Sequence, residues 1–108
     1  MIRKDFEKLL GSLQQKELEI NRSKGEEYCQ QDEDALKNFK RNSERLGTDP
    51  ITVCALYLFK HIDWLENYIK FRQEGTEGLE SRILDIRLYL ALLDALIVET
   101  ENTSSTTN

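Results

Sequence analysis

The sequence predicts an all-α fold, a four-helix arrangement built on a long antiparallel pair over about residues 50–71 and 79–98. Apolar residues recur with the 3.6-residue period of a helix along most of the 108-residue chain. Turn punctuation is sparse, with one Pro and five Gly, while 32% of residues are charged and 39% apolar. That balance excludes collagen-like, mucin-like and turn-rich all-β architectures. Two long periodic stretches are separated by one short Gly-containing loop, the pattern of an antiparallel helix pair. The length sets a single domain over residues 1–100 and leaves no room for a second fold.

Phe6, Leu9, Leu10, Leu13 and Ile20 mark one face of the first helix, which should stop near Lys24 because Gly25 suits a left-handed cap. The polar stretch from Gly25 to Asp34 reads as a connector. Within it Asp32 is the candidate N-cap of a second helix whose apolar face is Ala35, Leu36, Phe39 and Leu46. Gly47 ends that helix. Asp49-Pro50 then places an N-cap before a Pro at the first helical position, so the third helix begins there and runs roughly 33 Å to about Phe71. Arg72 to Gly78 turns the chain back into the fourth helix, Leu79 to Val98. The polar Ser/Thr/Asn tail over 101–108 is expected to be disordered.

The second half of the fourth helix, Leu88 to Leu93 and Ala95 to Val98, is apolar nearly all round and must be covered on more than one side. A homo-oligomer, most simply a dimer, would cover it; the alternative is a central helix in a monomer. Fifteen Lys+Arg against twenty Asp+Glu give a net charge of −5, which argues against a duplex nucleic-acid surface. Cys29 and Cys54 show no C-x-x-C spacing beside one histidine, which argues against a zinc site or a disulfide framework. The opening Met1 to Phe6 lacks the apolar run of a signal peptide, so a cytoplasmic location is expected. Glu80, Arg82, Asp85, Arg87 and Asp94 interrupt the most apolar segment, so no membrane span is expected.

At 100° per residue, His61 falls among Cys54, Tyr57, Leu58, Leu65, Tyr68 and Ile69, with Asp63, Glu66 and Lys70 opposite. The same arithmetic aligns Ser81, Arg82, Asp85 and Tyr89 with Leu92 and Leu96, and sets Glu80, Arg87 and Asp94 apart. An inward imidazole and carboxylate need partners, which a His61–Asp85 or Arg82–Asp85 contact would supply. In the functional reading His61 is acid, base or ligand, Asp85 is its orienter or a metal carboxylate, and Arg82 or Lys24 faces a phosphate. The structural alternative is a buried polar network that fixes helix register. Lys37, Arg41 and Arg45 read as a solvated face. Asp63/Glu66 and Glu77/Glu80 have the i,i+3 spacing of Mg²⁺-holding carboxylates, yet the first pair points away from the apolar face. Mg²⁺ therefore enters only if the protein is an enzyme.

Four segments occur in order: Lys24-Gly-Glu-Glu-Tyr28, Asp34-Ala-Leu-Lys-Asn38-Phe39-Lys40, Lys60-His61, and Glu80-Ser-Arg82-Ile-Leu-Asp85-Ile-Arg-Leu-Tyr89-Leu. This series resembles a family of small phage and prophage proteins over about Ser23 to Glu99. It is more distantly similar to the MazG-like all-α nucleotide pyrophosphohydrolases. The resemblance implies one site holding Lys24, Tyr28, Asp34, Asn38, His61, Arg82, Asp85 and Tyr89. His61 and Asp85 would be its catalytic residues and the others its ligand-binding residues. MazG-like enzymes carry paired E-x-x-E and E-x-x-D metal motifs that do not fall on inward faces here, so nucleotide binding follows more directly than hydrolysis. The resulting expectation is a small phage-type protein of the bacterial host cytoplasm that binds a nucleotide or related phosphorylated molecule. The alternative is a non-enzymatic phage protein that blocks a host defence protein or other host factor by contact.

Overall fold

The structure, a computed structural model, describes residues 1–28, 34–72 and 78–106, without the side chains of 24–28 and 103–106. It contains four helices: α1 (Arg3–Tyr28), α2 (Lys37–Leu46), α3 (Pro50–Phe71) and α4 (Leu79–Thr106). No strand occurs among the described residues, and the fold is all-α. The chain divides into two units, Met1–Ala35 and Leu36–Asn108.

The first unit is α1. Its first turn closes on the Ile2 carbonyl, which accepts from the Asp5 and Phe6 amides at 3.0 and 3.1 Å. Exposed i,i+4 pairs, Arg3–Glu7 and Gln15–Glu19, line its surface. Leu10, Leu13 and Ile20 are among its less exposed positions and lie at helical spacing. The expected stop near Lys24 does not occur, since the helix continues through Gly25 to Tyr28. An interior Gly costs roughly 1 kcal/mol relative to Ala, too little to end a helix whose following residues favour it. The expected Asp32 cap lies outside the described residues.

In the second unit, Leu36 precedes α2 at the N-cap position without a side-chain capping hydrogen bond, and Leu36, Phe39 and Ser43 are buried along one stripe. Its end follows the expected chemistry. Gly47 takes φ 68° and donates to the Glu44 carbonyl, while the Thr48 amide reaches the Ser43 carbonyl at 2.9 Å. That pair of bonds is the Schellman arrangement, in which a residue with a Cβ would be strained.

Asp49 opens α3. One carboxylate oxygen accepts from the Thr52 amide at 2.9 Å and the other from the Thr52 hydroxyl at 2.7 Å, with Pro50 in the first turn. The Thr52 amide, then its hydroxyl, hold the Asp49 carboxyl below its ordinary 3.8. A lowered folded-state value means that the cap stabilises fully above the ordinary carboxylate range and weakens as pH falls through the folded value. Asp49→Ala is therefore expected to lower the melting temperature at pH 7. Asp49→Asn should lower it less, and its gap to the parent protein should narrow as melts are taken below the ordinary carboxylate range.

α3 ends with Arg72 in the left-handed region, φ 55°, its amide on the Tyr68 carbonyl at 2.7 Å. α4 runs past the expected end at Val98 and takes the polar residues 99–106 with it. No Gly or Pro lies between Val98 and Thr106, and Thr100 returns its hydroxyl to the Leu96 carbonyl at 2.8 Å. Polar composition alone is not a stop signal. Residues 101–106, expected to be disordered, are thus helical.

α3 and α4 are antiparallel, because Cys54 near the start of α3 meets Tyr89 while His61, two turns on, meets Arg82 nearer the start of α4. α2 closes over one end of this pair. Leu36 and Phe39 of α2, Val53 and Cys54 of α3 and Leu96 of α4 form a buried cluster, flanked by Ile51, Tyr89, Leu92 and Leu93. An exposed Lys40–Glu99 ion pair spans α2 and α4 above it. Such a pair is worth under about 1 kcal/mol, so apolar burial dominates this end. Leu90, Ile97 and Val98 remain exposed on α4. No described helix is long and apolar enough to cross a membrane.

Candidate functional site

Beyond the apolar cluster, the α3–α4 seam is lined with rings and charge. Tyr57, His61, Trp64 and Tyr68 recur at i+4, i+3 and i+4, which puts them along one side of α3. Arg82, Asp85 and Tyr89 recur at i+3 and i+4 on α4 and face them.

The rings form a ladder. Phe39 tilts against Tyr57 at 6.1 Å, Tyr57 stacks with Tyr89 at 6.2 Å, and Tyr89 meets the His61 ring at 5.2 Å. Further along, Trp64 and Tyr68 stack at 5.9 Å with their planes 4° apart. Arg82 joins the two sections. Its Cζ lies 4.9 Å from the Trp64 ring centroid, a cation–π distance, and its Nη1 lies 3.0 Å from His61 Nδ1.

The His61–Arg82 contact fixes the state of the imidazole. A guanidinium has donors and no acceptor, so Arg82 donates and His61 Nδ1 accepts, which makes the ring neutral with its proton on Nε2. The Nδ1 lone pair is thereby bonded to Arg82. Burial, then the negative charge of Asp85, raises Tyr89 above the ordinary phenol range, so its hydroxyl stays protonated. Burial also raises the Cys54 thiol, which points at the Tyr89 carbonyl at 3.7 Å. It is a packed thiol, with no activation as a nucleophile. Tyr57 is 41% exposed and its hydroxyl lies 3.5 Å from Asn42 Nδ2, so solvent reaches the rim of the ladder.

Of the residues expected at one site, the structure brings together His61, Arg82 and Tyr89, with the Asp85 charge acting on Tyr89. Arg82 Nη1 is a partner of His61 Nδ1. Asn38 is exposed on α2, beside the inward Phe39. Lys24, Tyr28 and Asp34 belong to the first unit, and the side chains of Lys24 and Tyr28 lie outside the described residues. Trp64 was not among the expected site residues. It lies at the edge of the inward face, 80° from Cys54, and its spacing from His61 and Tyr68 is the signal that finds it.

Asp63 and Glu66 are exposed, with Glu66 on Lys70 at 3.0 Å, in keeping with a solvated face. Glu77 lies outside the described residues. No group of three or more metal-ligating side chains occurs among the described residues. Compared with protein-family models, with curated proteins and with solved structures, the chain matches none.

Proposed function

We propose that the chain binds a planar phosphorylated small molecule of the nucleotide class along the α3–α4 seam. Arg82 would meet the phosphate, and Trp64, Tyr68 or Tyr89 the base. The observation that carries this reading is the Arg82 guanidinium, oriented by His61 and Trp64 beside a row of partly exposed rings. A planar cation already held in place loses less side-chain freedom when it meets an oxyanion. Binding is favoured over turnover because the His61 lone pair is engaged by Arg82. A phage origin, a place in the bacterial host cytoplasm and a MazG-like kinship rest on the resemblance of the sequence segments. Lys24, Tyr28, Asp34 and Asn38 enter the reading through that resemblance as well.

A thermal-shift screen with nucleoside phosphates, cyclic dinucleotides and Mg²⁺ tests it. A ligand at about 100 times its Kd should stabilise by about 2.7 kcal/mol, and Arg82→Ala should remove the shift. No stabilisation by any member would refute the reading.

A second reading is favoured by one observation: Leu56, Phe59, Ile62 and Ile69 are exposed along α3. Such an apolar stripe suits contact with a host protein or a second copy of the chain. Light scattering at tens of micromolar separates a dimer from a monomer.

A further inference from the structure

A concavity lies away from the Arg82 seam, between α2, the start of α3 and the later turns of α4. It is an open groove of about 420 Å³. Pro50 and the buried Leu96 make its apolar floor. Ser43, Glu44, Glu99 and Thr100 supply its polar wall, with Lys40 on the α2 side.

The wall has a definite polarity. The Ser43 hydroxyl donates its hydrogen to the Lys40 carbonyl at 2.7 Å, and the Thr100 hydroxyl donates to the Leu96 carbonyl at 2.8 Å. Both hydroxyl hydrogens are thus committed to backbone, and what the two oxygens offer a ligand is lone pairs. Glu44 and Glu99 add carboxylate oxygens, which also only accept. Two carboxylates against one ammonium leave the groove with a net negative charge. A protonated amine already sits against this wall, since Lys40 Nζ donates to Glu99.

From this geometry we propose that the groove takes a primary ammonium group carried on a short apolar chain. The ammonium donates to Glu44 and the hydroxyl oxygens, and the chain rests on Pro50 and Leu96. Glu44 and Glu99 disfavour carboxylate and phosphate ligands. The site is independent of the Arg82 seam, and neither reading needs the other.

Amide-detected NMR titration of the full chain tests it, with n-butylammonium chloride as probe. Ammonium chloride, 1-butanol and sodium butyrate at matched ionic strength are the controls. Saturable shifts confined to residues 40–50 and 96–100, seen with butylammonium and absent with butanol and butyrate, are expected. Glu44→Gln, with its amide dispersion intact, should weaken the affinity about two- to fivefold, the effect of one exposed charge pair. Equal shifts from butanol would reduce the groove to an apolar surface and overturn the proposal. Shifts spread over Asp63, Glu66 and Asp94, and unchanged in Glu44→Gln, would overturn it as general charge attraction.

Discussion

Leu96→Ala should destabilise the protein by about 2–5 kcal/mol and lower the melting temperature by roughly 10–25 °C. Leu96 is 3% exposed and is the α4 member of the cluster that joins Leu36, Phe39, Val53 and Cys54. Removing its three outer carbons leaves a void that three helices border at once, and collapse of any one of them disturbs the other two. The comparison is Leu90→Ala on the same helix, where the side chain is 51% exposed and the cost should stay within about 0.5 kcal/mol. Urea melts followed by helical circular dichroism give both values. A Leu90 cost as large as that of Leu96 would mean that the outer face of α4 is covered in solution. Its dependence on protein concentration would then identify a second copy as the cover.

The second large effect is expected at the seam. Arg82→Ala removes both the cation over Trp64 and the donor to His61, and His61→Ala removes the acceptor. Each should cost about 1–3 kcal/mol, and the double mutant should cost less than the two together by about 0.5–3 kcal/mol. Arg82→Lys should recover little of the loss, because a compact ammonium cannot lie flat on the indole while donating sideways to the imidazole. Strict additivity in the cycle would show that Arg82 and His61 do not touch. Trp64, the chain's one tryptophan, provides a local readout, since its emission should change in Arg82→Ala even where the fold persists.

Those elements whose ends are set by local chemistry were legible in the sequence. Gly47 and Asp49-Pro50 mark the end of α2 and the start of α3 because a left-handed cap and an N-cap depend on one or two residues. The misread ends share a different cause. Gly25 and the polar segment after Val98 look like interruptions, but a helix stops only where a competing conformation is more favourable than one further turn. Neither position offers one.

The site divides along similar lines. That His61, Arg82 and Tyr89 face inward follows from periodicity within single helices. That His61 meets Arg82 depends on how far α3 is slid along α4. This register is set by non-local packing, visible where Cys54 lies against the Tyr89 backbone. Periodicity within either helix carries no information about that offset. Trp64 was missed for a related reason: it sits at the edge of the inward face, and only the neighbouring helix decides whether an edge position is covered.

The enclosure of Cys54, whose exposure is 0%, has a consequence for the protein's chemical lifetime. An oxidant or alkylating agent can reach that sulfur only after the helices packed around it open, and burial keeps the enclosed group a thiol and not the reactive thiolate. Damage at this position therefore accumulates in proportion to the time the chain spends open. A ligand that holds those helices together would lengthen the survival of the thiol without touching it.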